Sequence, residues 1–224
     1  RWLALGLMSG WLSVAAASPD AEQSVHLQHM EQFRPGESQP TMDSLEAPTP
    51  GPDTTVYGYL PYWADDLETV QWDQLSHIAL FAAGAGTDGS LSNTSKWGDI
   101  DRALELGAIY DVKVHLTVVN FSSSELGVLL GSESAQKKLI GELARIVEET
   151  GVHGINIDFE NLPSSRRSEM VSFTIALALE VGEVVLATPA VDWSDAWDYR
   201  ELSRHADLFI MGYGYHWSGS TYAG

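Results

Sequence analysis

The chain has 224 residues, with 12 Lys and Arg against 31 Asp and Glu, for a formal net charge of −19. That balance argues against nucleic acid and against an anionic membrane surface as partners, because both need a basic face. Cysteine is absent, which removes disulfide frameworks and thiolate chemistry, and the length suits one domain with a sizeable core or most of a larger one.

The chain opens at Arg1 on an apolar run over 2–14 that closes in Ala15-Ala16-Ala17. The run reads as the remnant of a secretory signal with a small-residue cleavage site. It is too short to cross a bilayer, which takes roughly 20 apolar residues. Residues 18–54 are rich in Pro, Ser, Glu, Gln and Thr, lack a sustained period and read as a disordered linker. The expected organisation is a leader over 1–17, a linker over 18–54 and a folded domain over 55–224.

From Thr54 onward strands and helices alternate. Strands are expected at 56–60, 76–82, 113–119, 154–160, 183–188 and 207–213, and helices at 99–110, 134–150, 163–181 and 199–205. Thr87-Asp88-Gly89-Ser90 reads as a turn, and Gly151 as a helix stop. Trp72 and Trp97 are assigned to structure. Strand then helix, repeated through short loops, predicts a parallel sheet with helices outside it. Spacing alone leaves a doubly wound sheet and a (β/α)8 barrel both open. In either fold the site lies at the C-terminal ends of the strands. No G-x-G-x-x-G turn follows the first strand, so a dinucleotide cofactor has no support.

The most informative stretch is Gly151 to Pro163. Side chains on a strand alternate, so Gly154, Asn156, Asp158 and Glu160 share one face and Ile155, Ile157 and Phe159 the other. A buried carboxylate is costly unless partnered, and two in line point to a site. Asp158 and Glu160 stand about 6.6 Å apart along the strand and are expected to titrate as a coupled pair sharing a proton. That state suits protonation of a glycosidic oxygen beside a second carboxylate. Aromatics cluster at the predicted strand ends (Tyr59, Tyr62, Trp63, Phe121, Trp193, Tyr213, Tyr215 and Trp217), where sugar faces can pack on them. The competing use is a hard cation on Asp158, Glu160 and Asn156. The histidines show no i, i+4 or H-x-H spacing, so no metal site is assigned, and no G-x-S-x-G elbow supports a Ser nucleophile.

On these residues the chain resembles glycoside hydrolase family 18, the chitinases and related N-acetylglucosaminidases. The family's D-G-x-D-x-D-x-E reads here as His153-Gly154-Ile155-Asn156-Ile157-Asp158-Phe159-Glu160, keeping the last Asp and the Glu. Its M-x-Y-D reads as Met211-Gly212-Tyr213-Gly214. Residues 56–63 and 72–81 resemble the first two strands, and the third-strand motif is weakly echoed by Thr117-Val118-Val119-Asn120.

The resemblance implies a (β/α)8 barrel, of which about six βα units are present, and expects the sequence to be part of a longer chain. It implies a retaining, substrate-assisted glycosidase on N-acetylglucosamine polymers of the chitin or peptidoglycan type, with no cofactor. Glu160, Asp158 and Tyr213 are the implied catalytic residues, and Asn156, Met211, Tyr59, Trp63, Asn120 and Trp217 the substrate contacts. Asn156-Ile-Asp-Phe-Glu-Asn161 and Asn120-Phe121 look more like the bacterial branch that cuts cell-wall glycans, acting outside the cell or in its envelope. A non-catalytic glycan-binding protein on the same barrel is the alternative, and an adhesive surface protein a third reading.

Overall fold

A computed structural model describes residues 54–64 and 66–212. The expected leader, almost all of the linker, and Tyr213, Tyr215 and Trp217 lie outside the described residues. Seven strands form among the described residues: β1 (Tyr57–Pro61), β2 (His77–Ala85), β3 (Leu91–Ser92), β4 (Lys113–Asn120), β5 (Gly154–Phe159), β6 (Glu183–Pro189) and β7 (Asp207–Met211). The α-helices among the described residues are α1 (Ile100–Tyr110), α2 (Ser123–Leu130), α3 (Glu133–Thr150), α4 (Arg167–Val181) and α5 (Tyr199–Leu202). The sheet order is β1-β2-β4-β5-β6-β7, with β3 paired to β2. Every pairing is parallel except that of β3.

The sheet curls. Phe209, on the edge strand β7, brings its ring to 5.9 Å from Tyr57 and 5.3 Å from Tyr59 on the opposite edge strand β1. The concave face is therefore narrow enough for inward side chains of the first and last strands to touch. This is an incomplete (β/α)8 barrel, as the alternation and the family resemblance together led one to expect.

The convex face carries the core. Val114, Leu116 and Val118 of β4, Ile155, Ile157 and Phe159 of β5, and Val184 and Leu186 of β6 are buried in one cluster with Leu139 and Leu143 of α3 and Met170, Phe173 and Leu177 of α4. The Phe159 and Phe173 rings stack at 5.9 Å. Alternation along each strand makes this possible, since every second residue faces the helices.

Local signals fix the helix ends. The Ser132 hydroxyl accepts from the Ala135 N–H at the start of α3, and Gly151 ends it in the left-handed region at φ 78°. Asp99 caps α1 by accepting from the Arg102 N–H at 3.0 Å. Trp72 and Trp97 are structural, as expected. Both are buried, and their indole N–H groups donate to Leu67 O at 2.9 Å and Thr117 O at 2.8 Å.

The structure extends or corrects the expected boundaries in three places. Strand β2 runs on to Ala85 through a register shift between Leu80 and Ala83. The turn after it, with Ser90 Oγ donating to Asp88 Oδ1 at 2.6 Å, leads into β3. Helix α2 occupies a stretch with no expected element and buries Leu126, Leu129 and Leu130. The helix expected over 199–205 stops at Leu202.

The stacked pair at the centre of the convex face makes a direct test of this core. Phe173→Ala is expected to lower unfolding free energy by about 3–5 kcal/mol in urea denaturation. Leu179→Ala on the same helix, at a side chain that is 81% exposed, should stay within about 0.5 kcal/mol of the parent.

Candidate active site

Strand β5 delivers the two carboxylates to the C-terminal end of the half-barrel. Its apolar residues turn into the core, so the concave face receives Gly154, Asn156 and Asp158. Asn156 and Asp158 are both completely buried. Glu160 is the first residue past the strand and is half-buried.

Two backbone contacts fix the carboxylate end. The Glu160 N–H donates to Asn120 O at 3.0 Å, and the Asn161 side-chain amide donates to Phe121 O at 3.1 Å. Asn161 itself takes the left-handed conformation at φ 60°, which Asn tolerates better than most residues. The chain thus turns sharply away just after Glu160, at the rim.

Burial pushes the Asp158 carboxyl well above the ordinary carboxylate range, and the nearby negative charge of Glu160 raises it further. Both causes disfavour a second negative charge beside Glu160. Below Asp158, Asn156 Nδ2 donates to Val185 O at 3.3 Å. Its Oδ1 and the hydroxyl of Thr117, the residue paired with it on β4, are buried without a hydrogen-bond partner among the described residues. The floor of the site is therefore polar and neutral, able to accept a proton-bearing group but unable to take a proton itself.

The other expected residues fall as follows. Tyr59 projects into the concavity, with ring contacts to Tyr57, Phe81 and Phe209. Trp63 lies in the 3₁₀ turn that follows β1, edge-on to Tyr62 and Phe81. Met211 ends β7, buried and in register with Pro189.

Asn120, expected as a substrate contact, makes hydrogen bonds within the protein. Its Nδ2 donates to Ala85 O at 2.8 Å and to Glu125 Oε2 at 3.2 Å, while its Oδ1 accepts from the Ser122 N–H at 2.9 Å. The amide ties β2 to the loop after β4. Phe81, Phe209 and Tyr57 join the aromatic wall without having been singled out from sequence. Their inward direction was available from strand period, but the contact across the two sheet edges was not.

On the rim, Trp193 is 88% exposed in the loop after β6. That loop is held by Asp192, which accepts from the Ser194 and Trp197 N–H groups at 3.2 and 2.7 Å. Arg167 adds a bond to Asp195 O at 3.0 Å.

The sequence matches the family described as Glycosyl hydrolases family 18 over residues 55–224. The chain belongs to that family. It is 29% identical over 116 residues to a Bacillus subtilis protein named as a sporulation-specific glycosylase, YdhD, an alignment that takes in 47% of this chain and 28% of the relative. Among solved structures, a chitinase from Bacteroides thetaiotaomicron superposes with a TM-score of 0.61 at 23% identity, covering 71% of this chain and 53% of the other. The Bacillus cereus spore cortex-lytic enzyme SleL superposes with a TM-score of 0.57 at 21% identity, covering 65% and 37%. These superpositions establish the shared barrel architecture. The chain spans a little over a quarter of the curated relative and about half of the chitinase.

The raised Asp158 carboxyl sets a stability signature. A carboxyl held above its unfolded value binds a proton more tightly when folded, so its contribution is most favourable at low pH and is lost as pH rises. Asp158→Asn removes that loss. The variant's melting temperature is expected to exceed the parent's at pH 7.5, with the gap narrowing toward pH 4, in paired thermal unfolding scans.

Proposed function

We propose that the full-length protein is a secreted or envelope-located glycosidase that hydrolyses β-1,4-linked N-acetylglucosamine polymers. The observation that carries this reading is the fully buried Asp158 carboxyl beside Glu160, at the C-terminal end of β5 in a family 18 half-barrel. A proton retained by a coupled carboxyl pair is what general acid catalysis at a glycosidic oxygen requires.

The mechanism follows the substrate-assisted route of the family. Glu160, protonated, gives its proton to the leaving oxygen as the C1–O bond breaks. The carbonyl oxygen of the substrate's own 2-acetamido group attacks C1 and forms a cyclic oxazolinium ion. Asp158, now the anionic member of the pair, holds the acetamido N–H and balances the developing positive charge. Glu160 as carboxylate then takes a proton from water, whose oxygen attacks C1 and reopens the ring with net retention. Tyr213 is assigned to orient the acetamido oxygen. Asn156 lies next to Asp158 on the same face of β5, its Nδ2 held by Val185 O. An aspartate there would share the proton, so this protein's activity profile is expected to depend on the Asp158–Glu160 pair alone.

Substrate class rests on the relatives. One is named as a sporulation-specific glycosylase and another as a spore cortex-lytic enzyme, which favours peptidoglycan over chitin as the polymer. Trp193 offers a flat apolar face at the rim and suits a sugar ring beyond the cleaved bond. No helix among the described residues is long and apolar enough to cross a membrane. The leader expected over 1–17 is the proposed route of export.

The test uses the natural full-length protein on N-acetylglucosamine oligomers and on purified peptidoglycan, with products read by mass. Glu160→Gln is expected to lower kcat by roughly 10²–10⁴ while oligomer binding persists. Trp193→Ala should raise KM with little change in kcat. Binding of the oligomers with no cleavage by the parent protein would favour the glycan-binding alternative.

A further inference from the structure

The opposite end of the half-barrel holds a second cluster that the glycosidase reading does not use. His77 opens β2, His115 is the third residue of β4, and Glu183 opens β6. Their candidate donor atoms all lie within 4.8 Å of one another. His115 Nε2 and Glu183 Oε2 are 3.2 Å apart, and the two histidine rings meet at 5.3 Å between centroids. Nothing in the sequence spacing shows this, because the three residues are brought together by sheet pairing.

The intervening strand clears the space. Gly154 of β5 pairs with His115 on one side and Glu183 on the other. A Cβ placed at Gly154 would stand 3.0 Å from His115 Nε2 and 2.6 Å from Glu183 O. Without a side chain there, β4 and β6 touch across β5.

Each imidazole is also aimed from behind. The Ser76 hydroxyl engages His77 Nδ1 at 2.8 Å, and the Tyr57 hydroxyl engages His115 Nδ1 at 3.1 Å. With Nδ1 engaged in each ring, Nε2 remains as the candidate donor, and that of His115 already meets Glu183. Outer contacts of this kind orient metal-binding imidazoles and fix their tautomer. Lys113 binds the other oxygen of the Glu183 carboxylate, which leaves Oε2 as a single donor.

We propose that His77, His115 and Glu183 form a site for a divalent first-row transition ion of the zinc class. Two imidazoles and a carboxylate with an open position match the donor preference of zinc, whose ligand bonds are about 2.0–2.2 Å. Tetrahedral ligands at that bond length stand about 3.4 Å from one another. His115 and Glu183 already meet this separation. His77, half-buried and within 4.8 Å of the other two donors, reaches that spacing by a side-chain adjustment.

The proton inventory balances. With no ion, His115 Nε2–H donates to Glu183. With zinc on Nε2, the ring proton moves to Nδ1 and donates to the Tyr57 oxygen, while Glu183 changes from acceptor to co-ligand. Lys113, His153 and Asp207 also face the cluster electrostatically, and Lys113 is the cation that zinc must coexist with.

The experiment is zinc titration of the full-length protein against a chromophoric chelator, with thermal unfolding in parallel. The expected result is one zinc per chain at micromolar affinity or tighter. Zinc at a hundredfold excess over Kd should raise the melting temperature by roughly 5–10 °C. His77→Gln and Glu183→Gln, with folding checked by circular dichroism, should each weaken binding at least tenfold, and Glu160→Gln should leave it unchanged. Cobalt(II) in place of zinc should give visible absorption of a four-coordinate ion that both site variants lose. No stoichiometric zinc in the parent, or zinc that survives both site variants, would overturn the proposal. So would zinc lost on Glu160→Gln, which would move the ion to the carboxylate end.

Discussion

The structure depends on holding one carboxyl group out of water. Asp158 is fully enclosed, and an ionised carboxylate in such a place costs several kcal/mol unless a proton or partner compensates. The cost is met from the other face of the same strand. Ile155, Ile157 and Phe159 alternate with the polar residues and enter the helix layer, where Phe159 stacks on Phe173. Burial of such side chains is worth about 1.5–3 kcal/mol each. A shift of one residue in register would turn Asp158 into the helices and Phe159 into the concavity. The apolar face therefore does more than stabilise the domain, because it is what makes the polar face an obligatory arrangement.

Register is reinforced at both ends of β5. At its start, Gly154 fits between His115 and Glu183 with no room for a side chain. Along its length, six residues pair with β4. Past its end, the Glu160 N–H and the Asn161 amide both reach carbonyls at the end of β4 and just beyond it. Glu160 stands outside the regular strand but is not on a free loop, and this combination lets a rim residue keep a defined distance from a buried one.

Much of this was legible in the sequence because strand period is a local property. The alternation in 154–160 placed Asn156, Asp158 and Glu160 together, and alternating strand and helix gave the layered fold. Helix α2 escaped because eight residues carry little periodic signal, although Ser122 three residues before Glu125 was a start signal in plain view. The bond from Asn120 to the Ala85 carbonyl, 35 residues away, was not legible. The aromatic contacts of Phe209 and the meeting of His77, His115 and Glu183 depend on how strands pair and how far the sheet curls. Those are long-range quantities, and no spacing along the chain encodes them in readable form.

The two polar ends of the half-barrel are joined by β5. From Gly154 to Asp158 is four residues, about 13 Å along the strand, with Asn156 between them. Barrels of this class divide labour, with chemistry at the C-terminal ends of the strands and stability at the N-terminal ends. An ion bridging β2, β4 and β6 at the N-terminal end would fix the spacing of the two strands that flank β5. Strand β5 cannot slide without breaking its pairing to both. The height at which Asp158 enters the carboxylate end would then be set partly by contacts at the opposite one. The glycine that admits those contacts is thus a positioning element for a carboxyl group it never touches.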